Sequence, residues 1–539
     1  MPTKKTETPP ERSRHAAVLV AAGIFASRIV GLVRQRVISH YFGISTEAAD
    51  AWAAGFRIPN LLQNLFGEGA LSASFIPVYS RLLARGERER ADRVAAGVGA
   101  LLALTVAILV LVGVTVTPWL IGAVAPGFTG SKRALTIHVV RILFPGAGLL
   151  VLSAWCLGIL NSHRRFFLSY AAPIVWSVAM IVALVWYGGT PDLSALVLVL
   201  AWASVVGSVL QVVVQLPVVL SVAPHVFTYV TSGFRTASGA AGDDATVGTV
   251  IRNFVPAFIS RGVVQLSAYI DTLLASLLPT GAVAGLMNAQ TLYTLPVSLF
   301  GISVSAAELP AMSGVAQDEG YAELRHRLER GLRQIAFFVV PSSAVFLAFG
   351  DVTAAALFQT GRFVREDSLY VWGILAGSAV GLLASTHARL YASALYALRD
   401  TRTPLRFAMV RVVATTVLGY LCAIPLPALL AINPAWGAAG LTASAGIAGW
   451  IEMGLLRRNV RMRVGAVGMQ ASELVRLWSA SLVGVAVGWS LKWMMPMGSP
   501  IVTAGVILGA FGVIYLASTW LLGVPAAVAL VARGRQRST

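Results

Sequence analysis

The chain has 539 residues, of which 57% are hydrophobic and only 12% are charged, and its mean hydropathy is +0.76. These values exclude a soluble globular protein and indicate a polytopic membrane protein. The formal net charge of +18 does not indicate a nucleic-acid binder, because the basic residues recur in short clusters between apolar runs instead of gathering in a soluble domain.

Residues 1–15 are polar and rich in proline, and we predict that they form a cytoplasmic tail. The apolar runs that follow predict about fourteen transmembrane helices, and hence an all-α polytopic membrane protein. Their approximate ranges are 16–39, 48–82, 95–122, 134–161, 168–187, 193–222, 250–278, 285–315, 333–358, 368–397, 405–430, 436–458, 474–495 and 500–524.

The first predicted span contains arginines at positions 28 and 34. Each charge costs roughly 2.5–3.5 kcal/mol near the centre of a bilayer, so such residues are candidates for function. At about 100° per residue, Arg28 and Arg34 differ by roughly 120° in direction. The helix must therefore be broken near Gly31, or the site must be wide enough to receive both side chains.

The second predicted span carries a polar stripe at spacings of three and four residues. At about 100° per residue these side chains share one narrow sector, whereas Gln63 lies off it. A polar stripe cannot face lipid, so it must line the interior of a bundle or a water-filled cavity. The members of the stripe are Arg57, Asn60, Asn64 and Glu68.

The loops between the predicted spans differ in positive charge. With the N-terminus inside, most lysines and arginines fall on the cytoplasmic side, as the positive-inside rule expects for an even number of spans with both termini inside. The outer loops hold Lys132, Arg133, Arg362, Arg365 and Lys492.

The longest polar interruption, 223–249, is predicted to be a cytoplasmic linker between an N-terminal lobe at 16–222 and a C-terminal lobe at 250–458. Two weak internal sequence similarities, which we call echoes, relate residues on its two sides. Phe66-Gly67, Ser72-Ala73 and Pro77 resemble Phe300-Gly301, Ser305-Ala306 and Pro310, and the basic turn 161–165 resembles 399–404. An offset of six spans predicts two six-helix lobes of like topology around a central cavity.

Several motifs resemble the MurJ/MviN family over nearly the whole chain. They are SRIVGLVR at 27–34, AADAW around Asp50, FRIPNLL at 56–62, FGEGALSASFIPVYS at 66–80, APGF at 125–128 and the turn at 399–404. The resemblance implies a fourteen-helix flippase of the multidrug/oligosaccharidyl-lipid/polysaccharide exporter superfamily. Such a protein moves the peptidoglycan precursor lipid II from the inner to the outer leaflet of the bacterial cytoplasmic membrane. It also implies that 459–524 holds two further helices that form a groove for the lipid tail. The basic residues from Arg533 to Arg537 predict a cytoplasmic tail at 525–539.

By this resemblance, Arg28 and Arg34 match the two arginines of the first helix, Asp50 and Glu68 match the acids of the second, and Arg57 is basic where the family is commonly basic. The chain departs from the family pattern in three places. Gln35 replaces an aspartate, Gln63 or Asn64 replaces an arginine, and Thr291 replaces the arginine of the eighth helix. Arg261, one helix earlier, is a candidate for the missing cation, and a different lipid-linked sugar remains an alternative substrate.

The chemistry of these residues fits a lipid-linked diphosphate. Guanidinium groups match phosphate through bidentate hydrogen bonds, and Asn60, Asn64 and Glu68 suit sugar hydroxyls. The alternative for Arg28 is a packing role, paired with Asp50 or Glu68. Asp271, a carboxylate in an apolar stretch of the second lobe, is a candidate site for a coupling ion, either Na⁺ or H⁺; its alternative is a salt bridge to Arg261 or another helix. No other cofactor is predicted.

Other classes of protein fit less well. A membrane enzyme acting on polyprenyl diphosphates needs paired acids for Mg²⁺, and the only adjacent pair, Asp243-Asp244, lies in the predicted linker. A scaffold needs no polar stripe, and an exporter of cationic drugs should have acids rather than arginines in its first lobe. The predicted partners are lipid II, membrane lipids and other cell-wall synthesis proteins, with no nucleic acid.

Overall fold

A computed structural model describes residues 9–226, 228–229, 247–252, 254, 269–315, 321–495 and 498–529. Helices make up nearly all of this part of the chain, so the predicted all-α polytopic fold is confirmed. The chain separates into two compact units, one of Met1–Phe42 with Thr46–Tyr269 and one of Gly43–Ser45 with Ile270–Thr539. Most of the predicted linker, 230–246, lies outside the described residues.

The first unit is built around one buried helix. Its helices are α1 (Pro9–Phe42), α2 (Glu47–Phe66), α3 (Glu68–Ala84), α4 (Arg88–Val124), α5 (Gly130–Ser162), α6 (Phe166–Tyr187) and α7 (Leu193–Val222). Helix α5 packs against α2, α3, α4 and α7, and most of its apolar stretch is buried. Small residues permit this close packing: Gly99 of α4 lies against the ring of Trp155, whose Nε1–H donates to the Ala95 carbonyl oxygen at 3.1 Å.

The second unit continues the helical pattern. Its helices are α8 (Ala282–Pro296), a π-helical turn (Val297–Ile302), α9 (Ser303–Val315), α10 (Ala322–Phe358), α11 (Arg365–Val380), α12 (Leu382–Ala397), α13 (Arg402–Ala423), α14 (Pro425–Leu429), a 3₁₀ turn (Pro434–Trp436), α15 (Gly437–Val464), α16 (Ala471–Met494) and α17 (Pro500–Leu521). The last two helices pack against α10. An apolar cleft between α8, α10 and α17 is lined by Phe300, Phe338 and Phe511 among others.

The helices account for the predicted spans as follows. Ten described helices are long and apolar enough to cross a membrane, and the pair α11 and α12, bent by 42°, makes eleven. Three predicted spans remain. The first is α1, which carries several arginines, the second is the broken pair α2 and α3, and the third is 250–278, which lies largely outside the described residues.

The first sequence echo coincides with interruptions of two helices. Helix α2 ends at Phe66 and α3 begins at Glu68, with extended backbone at Gly67 (φ −77°, ψ −152°). In the second unit, Gly301 lies in the π-helical turn between α8 and α9. The break falls between Asn64 and Glu68, so the continuous helix that the predicted stripe assumed is not present.

The second echo coincides with two turns of the same hydrogen-bonding pattern. After α5, the Arg164 and Arg165 amides donate to the carbonyls of Asn161 and Leu160. After α12, the amides at 399 and 400 donate to the carbonyls at 396 and 395, in the same spacing. Arg164 and Arg399 both have left-handed backbones, with φ of 59° and 60°, at the position that glycine usually occupies in this motif. This likeness supports the predicted repeat.

Asp400, in the turn after α12, caps the next helix. Its carboxylate accepts hydrogen bonds from Thr403 Oγ1 at 2.6 Å, from the backbone amides of Arg402 and Thr403, and from Arg463 at 2.5 Å. The bond from Thr403, supported by the others, lowers the pKa of the Asp400 carboxyl to about 2. The charged form is therefore maintained, which favours the helix start.

Candidate functional site

Arg34 is held by contacts with α6. Its Nη1 donates to Ser177 Oγ at 3.3 Å, and its guanidinium carbon lies 4.6 Å from the centroid of the Trp176 ring and 6.0 Å from that of Phe56. A guanidinium has five N–H donors, and only this one bond is made to a residue of the described chain. The contacts fix the plane of the cation and leave donors for a ligand.

The rings beneath Arg34 form a stack that we call the aromatic shelf, consisting of Trp52, Phe56 and Trp176. The Trp52 and Phe56 centroids are 5.3 Å apart, and those of Phe56 and Trp176 are 5.9 Å apart. Trp176 Nε1–H donates to the Ser204 carbonyl oxygen at 3.1 Å, which anchors the shelf to α7. The shelf therefore joins α1, α2, α6 and α7.

A narrow cleft adjoins the shelf, and we call it the first-unit cleft. Asn60 and Gln63 of α2 supply polar groups to it, beside Phe56 and Trp176. Its remaining walls come from Pro59, Leu143, Ala147, Leu150 and Ser204. In this conformation the cleft has a volume of about 20 Å³, room for about one water molecule, and it combines an apolar lining with amide groups that can exchange hydrogen bonds with hydroxyls.

Arg28 and Arg57, two further arginines of the predicted site, occupy different environments. Arg28 is exposed, and α1 runs unbroken through Gly31, so of the two alternatives the break is not observed, and the two arginines of α1 point in different directions. Arg57 is half-buried, and its carbonyl oxygen accepts a hydrogen bond from Tyr269 at 2.8 Å. Asn64 is half-buried in the last turn of α2.

Asp50 takes part in a buried ion pair. Its carboxylate lies 2.5 Å from Lys132 Nζ, and the side chains are 1% and 10% exposed. Lys132 also lies 4.2 Å from the Phe128 ring centroid. Asp50 thus joins α2 to α5 through Lys132, a residue predicted to lie in an outer loop, whereas the sequence suggested Arg28 as its partner.

Three predicted residues remain. Arg261 and the side chain of Glu68 lie outside the described part of the structure. Asp271 is half-buried in the helical residues 269–276. Among the described residues, no group of three or more histidine, cysteine or acidic side chains is placed to hold a metal ion.

The residues predicted for the site include neither the aromatic shelf nor Gln63, which lines the first-unit cleft. Phe56, Asn60 and Gln63 follow one another at spacings of four and three residues, so they share one face of α2. This face, which contains an aromatic residue, lines the cleft and identifies it better than the predicted face through Arg57. Trp176 and Ser177 lie more than 140 positions after Arg34, and no local pattern in the chain links them.

Comparison with known proteins gives consistent results. A family model described as "Lipid II flippase MurJ" matches residues 38–528. A Burkholderia cenocepacia protein described as "Lipid II flippase MurJ" is 31% identical over 452 residues, which cover 83% of this chain and 84% of that protein.

Two solved structures have a similar fold. One, described as "Lipid II flippase MurJ, inward closed conformation", has a TM-score of 0.73 at 20% identity and covers 94% of this chain and 98% of that one. The other is an inward-facing multidrug resistance MATE family transporter of the MOP superfamily. It has a TM-score of 0.66 at 16% identity, with 83% of this chain and 98% of that one covered.

Proposed function

The chain belongs to the lipid II flippase MurJ family, and we propose that it moves lipid II from the cytoplasmic to the outer leaflet of the bacterial cytoplasmic membrane. It is a multi-pass membrane protein and a transporter, not an enzyme. The distribution of basic residues supports placing both termini in the cytoplasm. Its role would lie in peptidoglycan synthesis, beside other cell-wall synthesis proteins.

The observation that best supports a headgroup site in the first unit is the position of Arg34. Its guanidinium stacks on Trp176 beside the first-unit cleft and has donors left after bonding Ser177. A diphosphate accepts such donors in pairs, and stacking restricts the guanidinium to one plane before the ligand arrives. The amides of Asn60 and Gln63, which line the cleft, would meet sugar hydroxyls.

Arg28 would act differently from Arg34. Arg28 is exposed and makes no ion pair with another described residue, so it would attract the diphosphate by its charge. A cation-drug exporter is not favoured, because the described cleft is flanked by arginine and its polar lining is neutral.

The transport step would use alternating access of the two units, as parallel-repeat transporters do. We propose Asp271, which lies in an apolar stretch of the second unit, as the site that couples this step to a sodium or proton gradient. Asp271→Asn should then preserve folding but reduce the response of transport to the gradient, measured by imposing each gradient in turn across liposomes. Unchanged coupling would rule out this role.

The function is tested with purified full-length protein in liposomes containing labelled lipid II, by measuring how quickly the headgroup becomes protected from an external reagent. Arg34→Lys keeps the charge but loses the planar fork, and Arg34→Ala loses both. Loss of one charge-assisted contact costs about 1.5–3 kcal/mol, so both variants should be slowed roughly ten- to a hundredfold.

Arg28→Lys is the matched comparison, because Arg28 lacks the stacking contacts and should tolerate lysine better. Wild-type rates with Arg34→Ala would remove Arg34 from the site. Absence of any protein-dependent protection in the wild type would refute the flippase activity itself.

A further inference from the structure

Arg389 is a charged residue on an otherwise buried helix of the second unit. It lies eight residues before the end of α12, about 12 Å along the helix axis at 1.5 Å per residue. Between Leu382 and Ala397, only Arg389 and Tyr396 are exposed and only Ala392 is half-buried. These three positions follow the three- and four-residue spacing of one helical face, so α12 has one open stripe, with an arginine on it.

The stripe lies among helices that bring further polar groups. Tyr293 of α8 shares a hydrogen bond of 2.8 Å with Ser385, one turn before Arg389. Helix α12 packs against α15, which carries Glu452, and contacts α13, which carries Arg411. The open stripe therefore belongs to a helix whose neighbours carry polar and charged side chains.

The charges of Arg389, Arg411 and Glu452 do not balance. Glu452 accepts a hydrogen bond from Arg411 Nη1 at 3.1 Å, and its side chain is only 11% exposed. Arg389 makes neither an ion pair nor a hydrogen bond with another residue of the described chain. Glu452 is thus already paired with Arg411, and no acid of the described residues forms an ion pair with Arg389.

An arginine at this depth is costly unless it meets water or an anion, so the unbalanced charge needs an explanation. The eighth predicted span carries Thr291 and no arginine, and Thr291 Oγ1 donates to the Met287 carbonyl within its own helix. We infer that Arg389, with Arg411 positioned by Glu452, forms a second anion site that binds the phosphate group of a lipid. In this chain, α12 and α13 would then supply the cations of the second unit.

The phosphate could belong to the transported lipid or to an anionic phospholipid of the bilayer. The first source rests on the proposed function, whereas the anion chemistry does not. Arg389 presents five donors, which suits the several oxygens of a diphosphate better than the single anionic phosphate of phosphatidylglycerol. The transported lipid is therefore the source that we expect.

The test uses the full chain in nanodiscs of zwitterionic lipid. Binding of a polyprenyl diphosphate without sugars is titrated against the same polyprenyl alcohol, which lacks the phosphates. Arg389→Gln should weaken diphosphate binding roughly ten- to a hundredfold and leave alcohol binding unchanged. Arg406→Gln, an exposed arginine in the first turns of α13, is the matched control and should bind as the wild type does.

The outcomes distinguish the two sources of the phosphate and separate this inference from the proposed function. Added phosphatidylglycerol that displaces the diphosphate from the wild type but not from Arg389→Gln would assign the site to bilayer phospholipid. Full diphosphate binding by folded Arg389→Gln would overturn the inference, even with lipid II transport intact. If instead the wild type binds the diphosphate through Arg389 but moves no lipid II, the proposed function fails and the anion site stands.

Discussion

The charged residues of the first unit differ in what surrounds them, and this separates their roles. Arg34 is stacked on Trp176 and bonded to Ser177, whereas Arg28 on the same helix is exposed. Cation–π contacts contribute about 0.5–2 kcal/mol, depending on how far the cation is desolvated. The shelf therefore holds one arginine in a fixed plane and leaves the other to act by its charge.

Replacing Trp176 tests the shelf directly. Trp176→Leu removes both the stacking contact with Arg34 and the hydrogen bond to Ser204, while Trp176→Phe keeps a ring and loses only the bond. We expect lipid II transport to fall about five- to thirtyfold with leucine and less with phenylalanine, in line with a loss of about 1–2 kcal/mol. Transport is measured by headgroup protection in liposomes.

Trp202→Leu is the control for that experiment, because Trp202 lies on neighbouring α7 with 58% of its surface exposed. It should leave the rate unchanged. Equal effects of Trp176→Leu and Trp202→Leu would mean that tryptophan loss disturbs the protein in general and that the shelf has no specific role.

Asp50 shows where prediction of the site from sequence reaches its limit. A carboxylate in an apolar segment indicates burial or function, and the sequence could not distinguish the two because Lys132 lies 82 positions away. The structure pairs them at 2.5 Å with little exposure. Removing one partner of such a pair costs about 3–5 kcal/mol, so Asp50 has a clear structural task.

At the scale of elements, two interrupted helices stand at equivalent places in the chain. Gly67 separates α2 from α3, and Gly301 lies in the π-helical turn between α8 and α9. A Cβ at Gly67 would collide with the Gln63 carbonyl oxygen, which accepts a hydrogen bond from the Gly67 amide at 2.8 Å. The break therefore depends on the absence of a side chain.

Gly67→Ala should destabilise the protein. The collision is with backbone, so relief requires movement of the helix end, which typically costs about 1–3 kcal/mol in a packed interior. We expect a lower midpoint of thermal unfolding in detergent, followed by loss of monodispersity on heating. Gly122→Ala is the control, because no atom lies within 4 Å of a Cβ placed there. A midpoint for Gly67→Ala as high as that of Gly122→Ala would show that the break tolerates a side chain.

Two ion pairs fasten α16 to α10 at widely separated levels. Arg333 Nε lies 3.0 Å from a carboxylate oxygen of Glu473, and Lys492 Nζ lies 2.6 Å from Asp351 Oδ2. The pairs are spaced by about 27 Å along α10 and about 28 Å along α16 at 1.5 Å per residue, which is close to the thickness of the hydrocarbon core. The two helices are therefore parallel, with a salt bridge near each membrane surface.

Exchanging the charges of one pair tests this arrangement. Asp351→Lys and Lys492→Asp should each lower the thermal midpoint, since each places two like charges together. The double variant should recover much of the loss, with a coupling of about 1–3 kcal/mol. Asp351→Asn, which is isosteric, provides the neutral reference. Additive losses in the double variant would show that the two residues contribute separately.

The helical architecture was predictable because the signal is local. A run of about 20 apolar residues has few alternatives in a membrane protein, so spans such as α4, α7 and α17 follow from composition alone. The interruption at Gly67 did not follow from spacing, because the helical period assumes an unbroken backbone. Contacts such as that of Arg34 with Trp176 depend on tertiary packing, which no single segment encodes.

At the scale of the whole molecule, the two units share local features at an offset of about 235 residues. Arg164 and Arg399 close the same turn after α5 and α12. Like topology in two halves is the basis of alternating access in many transporters, where one half moves against the other around a fixed site. The polar groups of α2 should then be reached by water from one side of the membrane at a time.

Asn64 is suited to test this, because it is half-buried near the end of α2. In a background with Cys156→Ala and Cys422→Ala, Asn64→Cys should react with a small polar thiol reagent from one side at a time. The reactive side should change when lipid II or an ion gradient shifts the balance of states, because access from both sides at once would dissipate the gradient. Labelling is measured in oriented vesicles by mass spectrometry.

Val178→Cys provides the matched control. Val178 is 43% exposed near the middle of the apolar helix α6, so a polar reagent should not label a cysteine there from either side. Labelling of Asn64→Cys from both sides in every condition would indicate an open pore. No labelling of Asn64→Cys in any condition would mean that this face of α2 packs against protein, and alternating access through it would be wrong.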